Sequence, residues 1–203
     1  MEIEIVPLQA WHISSVVRMH LKAFPGFFLS FLGPRFLKEF YAAFVNEESS
    51  IGLVAVDSPG GQIAGAVVGT IQPGGFFRRL VKRRWWGFCL ASMDALMRRP
   101  VIATRLFRAV FYRGDAPRGA SLALLSSIAV DPRFQNKGVG RMLLNQFTGQ
   151  VTDRGGTGCY LTTDAEGNDA VNRFYLKNGW RIESRYTTPE GRKMNRLVWE
   201  KGK

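Results

Sequence analysis

Residues 121–130, SLALLSSIAV, form a charge-free run of strand length that stops at Asp131-Pro132. A continuous, mostly apolar run of this length reads as a buried strand. Pro132 has no main-chain donor, so the ladder cannot pass through it and the chain must turn. Gly138 and Gly140 then permit positive φ or close backbone approach. Over 139–153, Leu143, Leu144, Phe147 and Val151 recur at helical spacing and give the next helix a buried face. Strand, glycine-bearing turn and helix together have a chemical consequence. A helix start leaves several N–H groups without partners at the positive end of its dipole, and loop N–H groups just before it can converge on the same point. The product is an anion cradle suited to phosphate, to which Lys137 and Arg141 add charge. An ordinary strand–helix turn accounts for the two glycines equally well at this stage. The spacing is not GxGxxG, and no GKS or GKT follows, which disfavours the dinucleotide-binding and P-loop readings.

Around this unit the chain alternates between strand and helix patterns. Glu2–Pro7 alternates as a strand. From Trp11 to about Phe24, apolar residues at Ile13, Val16, Val17, Leu21 and Phe24 have helical spacing. Pro25-Gly26 breaks that pattern, and Pro34–Phe44 resumes it with Phe36, Leu37, Phe40 and Phe44 on one face. Ile51–Asp57, the turn at 58–61 and Gln62–Ile71 make a hairpin signal. Further strands are expected at Gly158–Thr163, Trp180–Thr187 and Arg196–Glu200, and a helix at Asp169–Lys177. The result is a mixed α/β (α+β) pattern without internal repeats.

A length of 203 residues with 46% hydrophobic residues suits one domain, 1–203, carrying an insertion. The acidic, alternating start is no signal peptide. The longest uncharged stretches, Ala23–Pro34 and 121–130, are too short to cross a bilayer. Cys89 and Cys159 fit no metal or redox spacing and read as small core residues in a reducing cytoplasm; no metal is expected. The net charge of +12 sits mostly in residues 76–113, where ten basic residues face one acid, Asp94, giving +9. Charge confined to one segment is poor evidence for a nucleic-acid-binding fold. Val81, Trp85, Phe88, Cys89, Met93, Leu96 and Met97, then Ile102, Leu106, Ala109 and Val110, recur as in two amphipathic helices. This insertion, between the third and fourth strands, reads as a lid or wall over the acceptor side. An anionic-substrate surface, a membrane-peripheral surface with Trp85, Trp86 and Phe88 beside Arg83 and Arg84, and a homodimer contact are its other readings.

Two motifs carry a family resemblance. Ile128-Ala129-Val130-Asp131-Pro132 followed by Gln135-Asn136-Lys137-Gly138-Val139-Gly140 resembles the central motif of the GNAT superfamily of acetyl-coenzyme A-dependent N-acetyltransferases, Gln/Arg-x-x-Gly-x-Gly/Ala after a strand. Asn168, Phe174-Tyr175 and Gly179-Trp180 are similar to that family's second motif. The likeness covers about 120–200 and extends to the N-terminal third in element order. The stretch AFPGFFLSFLGPRFLKEFY, 23–41, is also similar to members associated with bacterial surface-sugar synthesis. The resemblance implies a mostly antiparallel central sheet flanked by helices, with the 76–113 helical insertion added. It implies that the pyrophosphate of acetyl-CoA rests on Gln135, Asn136, Lys137, Gly138, Val139, Gly140 and Arg141. Main-chain groups of Ile128 and Val130 are then expected to pair with the pantetheine arm. Asn168 and Tyr175 fall on one helical stripe with residue 171 and can face the same ligand; plain uses, an N-cap and a core aromatic, exist for both.

Acetyl transfer needs a thioester held beside a neutral amine, an oxyanion donor, and proton transfers at the amine and at the departing thiolate. Tyr175 is the candidate acid for the thiolate: its ordinary pKa near 10 keeps it protonated at neutral pH, and a fall in rate at alkaline pH would follow. Many members carry a glutamate base two residues before the position of Ile128. This chain has Ser126 there, and a hydroxyl is a poor base. His12 and His20 titrate in a suitable range but read as surface or packing residues, so no base is assigned. The expected activity is acetyl transfer from acetyl-CoA to a primary amine, with a nucleotide-linked amino sugar or another anionic small molecule as first choice of acceptor. A protein N-acetyltransferase and a non-catalytic acyl-CoA-binding regulator tethered by the insertion are the alternatives.

Overall fold

The computed structural model describes residues 2–25, 28–45, 47–58, 60–76, 78–79, 82, 86–87, 122–189 and 191–202. Seven strands form one sheet: β1 (Ile3–Pro7), β2 (Ser50–Asp57), β3 (Gln62–Thr70), β4 (Leu122–Val130), β5 (Gly158–Asp164), β6 (Arg181–Thr187) and β7 (Lys193–Glu200), in spatial order β1-β2-β3-β4-β5-β7-β6. Every pairing is antiparallel except β4 with β5. This is the mixed, mostly antiparallel sheet with flanking helices that the family resemblance implied.

The helices α1 (Ile13–Ala23), α2 (Phe28–Phe31) and α3 (Gly33–Ala43) precede the β2–β3 hairpin, and α4 (Val139–Asp153) and α5 (Asp169–Lys177) flank β5. Pro34 stands in the first turn of α3, where its missing N–H has no partner to lose. Val16, Val17, Leu37, Phe40 and Tyr41 pack α1 and α3 on one apolar layer with Val54, Ala66 and Val68 of the sheet. Leu143, Leu144, Phe147 and Val151 of α4 pack on a second layer with Leu53, Val67, Leu161 and Tyr175. Cys159 is buried there, as a core cysteine should be. The sheet is thus covered by separate layers, each supplied by the helical periodicity visible in the sequence.

Two boundaries differ from expectation. The last strand begins at Lys193 rather than Arg196, because Met194 and Asn195 pair with both β5 and β6 and Lys193 pairs with β6, although Lys193 and Asn195 are polar. Trp180 precedes β6 as a buried residue after the Gly179 turn. The two amphipathic helices expected within 76–113, with Cys89, lie outside the described residues apart from Phe76, Arg78, Arg79, Lys82, Trp86 and Gly87. Phe76 is buried against Phe44, with ring centroids 5.2 Å apart. A Cβ added at Gly87 would fall 2.8 Å from the Glu39 carboxyl group of α3. The entry to the insertion therefore leans on α3.

Candidate active site

The site begins where β4 and β5 part. Their parallel pairing joins only Leu122–Leu124 to Gly158–Tyr160. Beyond it, β4 stays paired with β3 on one edge, and its other edge is open. On the β3 side the register steps from Ser127 opposite Val68 to Leu125 opposite Gly69, which leaves Ser126 as an extra, bulged residue. A bulge bends and twists its strand, and here it lies where the two strands diverge. Asp131 N–H donates to Ala64 O (2.9 Å) across to β3. The alternation of a strand then turns the main-chain groups of Ala129 toward β3 and those of Ile128 and Val130 toward the open edge. The weak approach of Gln135 Nε2 to Val130 O (3.4 Å) comes from that open side.

At the end of β4, Asp131 caps a short 3₁₀ turn, Pro132–Phe134: it accepts from Arg133 N–H at 3.0 Å and is bound by the Arg133 guanidinium at 2.9 Å. Those bonds to Arg133 hold the Asp131 carboxyl below its ordinary pKa range. The loop then takes left-handed backbone at Asn136 (φ 60°) and Gly138 (φ 83°), the latter being the N-cap of α4. Among the described residues, no backbone carbonyl accepts from the N–H groups of residues 136–141. These donors sit at the positive end of a fifteen-residue helix. A Cβ at Gly138 would meet nothing within 4 Å, whereas one at Gly140 would lie 3.4 Å from the Phe174 ring. Gly138 thus serves the turn, and Gly140 serves the close approach of α4 to α5.

The opening between β4 and β5 is a cavity of about 740 Å³. Of the residues the sequence singled out, Ile128, Val130, Gln135, Asn136, Gly138, Gly140, Arg141, Asn168 and Tyr175 line it. Val139 and Lys137 do not. The Val139 side chain is buried in the α4 layer, leaving only its N–H to the loop, and Lys137 lies over the Phe134 ring at 5.6 Å. Asn168 is the N-cap of α5 without making a side-chain cap bond; its Nδ2 donates instead to Thr163 Oγ1 at 2.7 Å. Asn172, which donates to Asp164 O (3.0 Å) and accepts from Asn195 Nδ2 (3.0 Å), fixes the same helix start to β5 and β7. Val171 joins Asn168 and Tyr175 on the cavity wall, as the helical stripe predicts. Tyr175 is almost fully buried between Phe174 and Trp180. Burial pushes its hydroxyl above its ordinary pKa, so an alkaline fall from Tyr175 would set in at higher pH than for a free tyrosine.

The wall facing this machinery was missed in the sequence. His20, Ala23, Phe24 and Leu29 from the N-terminal helices line the cavity together with Ser126 and Ser127 of β4. The Ser126 hydroxyl is buried and without a partner. His20 is on the buried face of α1, with Nδ1 2.7 Å from the Tyr41 hydroxyl of α3. His12, by contrast, takes the Gln9 N–H on Nδ1 at 3.1 Å and lies away from the cavity. Among the described residues, no group of His, Cys, Asp and Glu could hold a metal ion, and no helix is long and apolar enough to cross a membrane.

The description "Acetyltransferase (GNAT) family" matches residues 14–180. The chain belongs to the GNAT acetyltransferase family. It is an acetyl-CoA-dependent acyltransferase. No curated protein matches it. Solved structures share the GNAT fold at low identity. A GNAT-family acetyltransferase from Desulfovibrio desulfuricans is 15% identical over 98% of this chain and 99% of its own, with a TM-score of 0.64. NAA60 of Arabidopsis thaliana, solved with acetyl-CoA, is 16% identical over 100% of both chains at a TM-score of 0.61. The PaiA N-acetyltransferase of Thermoplasma acidophilum, solved with coenzyme A, is 14% identical over 98% of this chain and 99% of its own, at 0.56. An open strand edge offers main-chain groups to an extended partner, and a row of unpartnered N–H groups at a helix start can hold an anion.

Proposed function

We propose that this enzyme acetylates the primary amine of a small anionic molecule, with a nucleotide-linked amino sugar the best fit. One observation carries the reading. Among the described residues that line the cavity none is a carboxylate, and Lys177 and Arg192 are cationic in addition to Arg141 beside the loop. Arg192 is held by three bonds to Asp164 (3.1, 2.7 and 2.7 Å), a carboxylate that is itself outside the lining. A polyamine acceptor would call for the opposite charge. The +9 of residues 76–113 points the same way, since the insertion joins β3 to β4 and its first residues lean on α3, which backs the N-terminal wall.

In this reading, the N–H groups of 136–141 with Arg141 hold the pyrophosphate, and the main chain of Ile128 and Val130 takes the pantetheine amides. Asn168 orders the wall beside them. The acetyl-CoA so held supplies an activated acetyl group. Tyr175, protonated because it is buried, donates its proton to the departing sulfur.

The test is mass spectrometry of products from acetyl-CoA with a library of amino-sugar nucleotides, simple amino sugars, polyamines and peptides with free N-termini. An acetylated sugar nucleotide made in preference to the uncharged sugar supports the proposal. Preferred acetylation of polyamines or peptide N-termini overturns it.

A further inference from the structure

We propose that His20 is the acceptor-side base, receiving at Nε2 the proton that the amine loses when it is acetylated. The inference rests on acetyl transfer occurring in this cavity and not on which amine is used. Ser126, at the bulge of β4, cannot serve: it is a hydroxyl with no partner to activate it. His20 lines the same cavity, on the wall that also carries Ser126 and Ser127, and is 2% exposed. Its Nδ1 is engaged by Tyr41, and its Nε2 is buried without a hydrogen-bond partner. A buried polar nitrogen with no partner is costly, and nothing in the packing of α1 on the sheet requires a histidine among Val16, Val17 and Met19. Nε2 itself has almost no accessible surface, so an amine N–H in the cavity, or a water bridging to it, would supply the missing partner once the lining opens around the ring.

The surroundings suit a neutral imidazole. Tyr41 of α3 is the titratable group that touches the ring, and Phe24 of its own helix stands 5.0 Å away, centroid to centroid. Along α1, Arg18 turns back to Ser15 at 2.9 Å, and Lys22 acts on Asp131. On α3, Lys38 is exposed, and Glu39 lies toward Gly87. Burial holds His20 below its ordinary range, at about 4, so its lone pair is available at neutral pH. Tyr41 is kept protonated by its own burial, which the Ser127 hydroxyl opposes. When Nδ1–H donates to Tyr41, the tautomer with a free Nε2 is selected and the ring is oriented, while burial makes the protonated ring short-lived. In the balanced step, the amine nitrogen bonds to the thioester carbonyl carbon and the C–S bond breaks. The proton shed by nitrogen goes to Nε2, and Tyr175 protonates the sulfur to the free thiol and is reprotonated from solvent. His20 returns its proton to solvent when the amide leaves.

Two measurements decide the matter. The chain has two histidines, so ¹⁵N-histidine NMR is tractable, with His12→Gln used for assignment. At pH 7, His20 should show an unprotonated Nε2 and a protonated Nδ1; the reverse tautomer, or a charged ring, overturns the proposal without reference to any acceptor. The second is thiol release from acetyl-CoA with ethylamine as a small primary-amine probe. His20→Gln should lower the amine-dependent rate about 10²-fold, with acetyl-CoA affinity and melting temperature retained. That deficit should shrink as pH rises and hydroxide replaces the ring. A pH-independent deficit marks a merely structural residue, and a wild-type rate in His20→Gln also overturns the role. Absence of release by the wild-type enzyme with every amine would instead count against the acetyl-transfer reading, and the NMR result would still stand.

Discussion

Gly138→Asp separates the anion cradle from the fold that carries it. At φ 83°, a residue with a Cβ pays a left-handed penalty of about 1–2 kcal/mol, and aspartate is among the side chains that tolerate that region best. The new Cβ would meet nothing within 4 Å, so no clash is added. For a chain of this size, each kcal/mol shifts melting by roughly 2–4 °C, so the variant should melt only a few degrees lower. Binding should respond far more. A carboxylate beside the N–H groups of 136–141 competes for them and repels a diphosphate. Loss of two charge-assisted bonds, each about 1.5–3 kcal/mol, amounts to roughly 3–6 kcal/mol, or about 10²–10⁴-fold in affinity. Titration calorimetry with coenzyme A measures the effect, with Gly138→Ala carrying the backbone strain without the charge. Wild-type affinity in Gly138→Asp would refute the cradle. An equal loss in Gly138→Ala would show that backbone strain, not anion binding, is responsible.

Tyr175→Phe keeps the packing against Trp180 and removes only the hydroxyl; kcat should fall on the order of 10²-fold with coenzyme A affinity unchanged, and full activity across the pH range would return Tyr175 to the core. Because burial lowers His20 from 6.5 to about 4, the folded state binds that proton more weakly than the unfolded chain. The stability involved is complete above pH 6.5 and is lost as pH falls toward 4, about 3 kcal/mol in all. Melting of His20→Gln should therefore be less acid-sensitive between pH 7 and 4 than wild type, and parallel curves would contradict this. Reversal of Arg78, Arg79, Arg83 and Arg84 to Glu should raise the acceptor KM more than the coenzyme A Kd, measured separately by steady-state kinetics and calorimetry; an equal loss of both would assign the insertion to the acetyl-CoA site.

What could be read in the sequence was what repeats locally. The periods of α1, α3, α4 and α5 and the turn at 58–61 between β2 and β3 locate those elements within a residue or two. The Asp-Pro stop and the glycine at 138 locate the loop. Asn168, Val171 and Tyr175 could be placed together because all three lie on one helix, where spacing alone sets direction. Gly140 was legible only as an unusual residue, since its use depends on Phe174, thirty-four positions away on another helix. The polar start of β7 was missed because cross-strand hydrogen bonds, not composition, define it.

The acceptor wall was illegible for a stricter reason. His20, Tyr41 and Ser127 come from α1, α3 and β4, separated in the sequence by whole elements, and each looks unremarkable in its own segment. A histidine among apolar residues on a helix normally means a satisfied packing residue, and by spacing alone His20 is one. What distinguishes it is the difference between its two nitrogens: Nδ1 has a partner at 2.7 Å and Nε2 has none. That difference exists only after α1 and α3 have packed on the same face of the sheet and the bulge at Ser126 has opened β4 from β5. The family's usual carboxylate could be predicted from its position on one strand, and here that position is a serine. A base contributed from a different element is instead a property of the tertiary packing. Its proton-accepting atom depends on a hydrogen bond formed between two helices, which local sequence periodicity cannot encode.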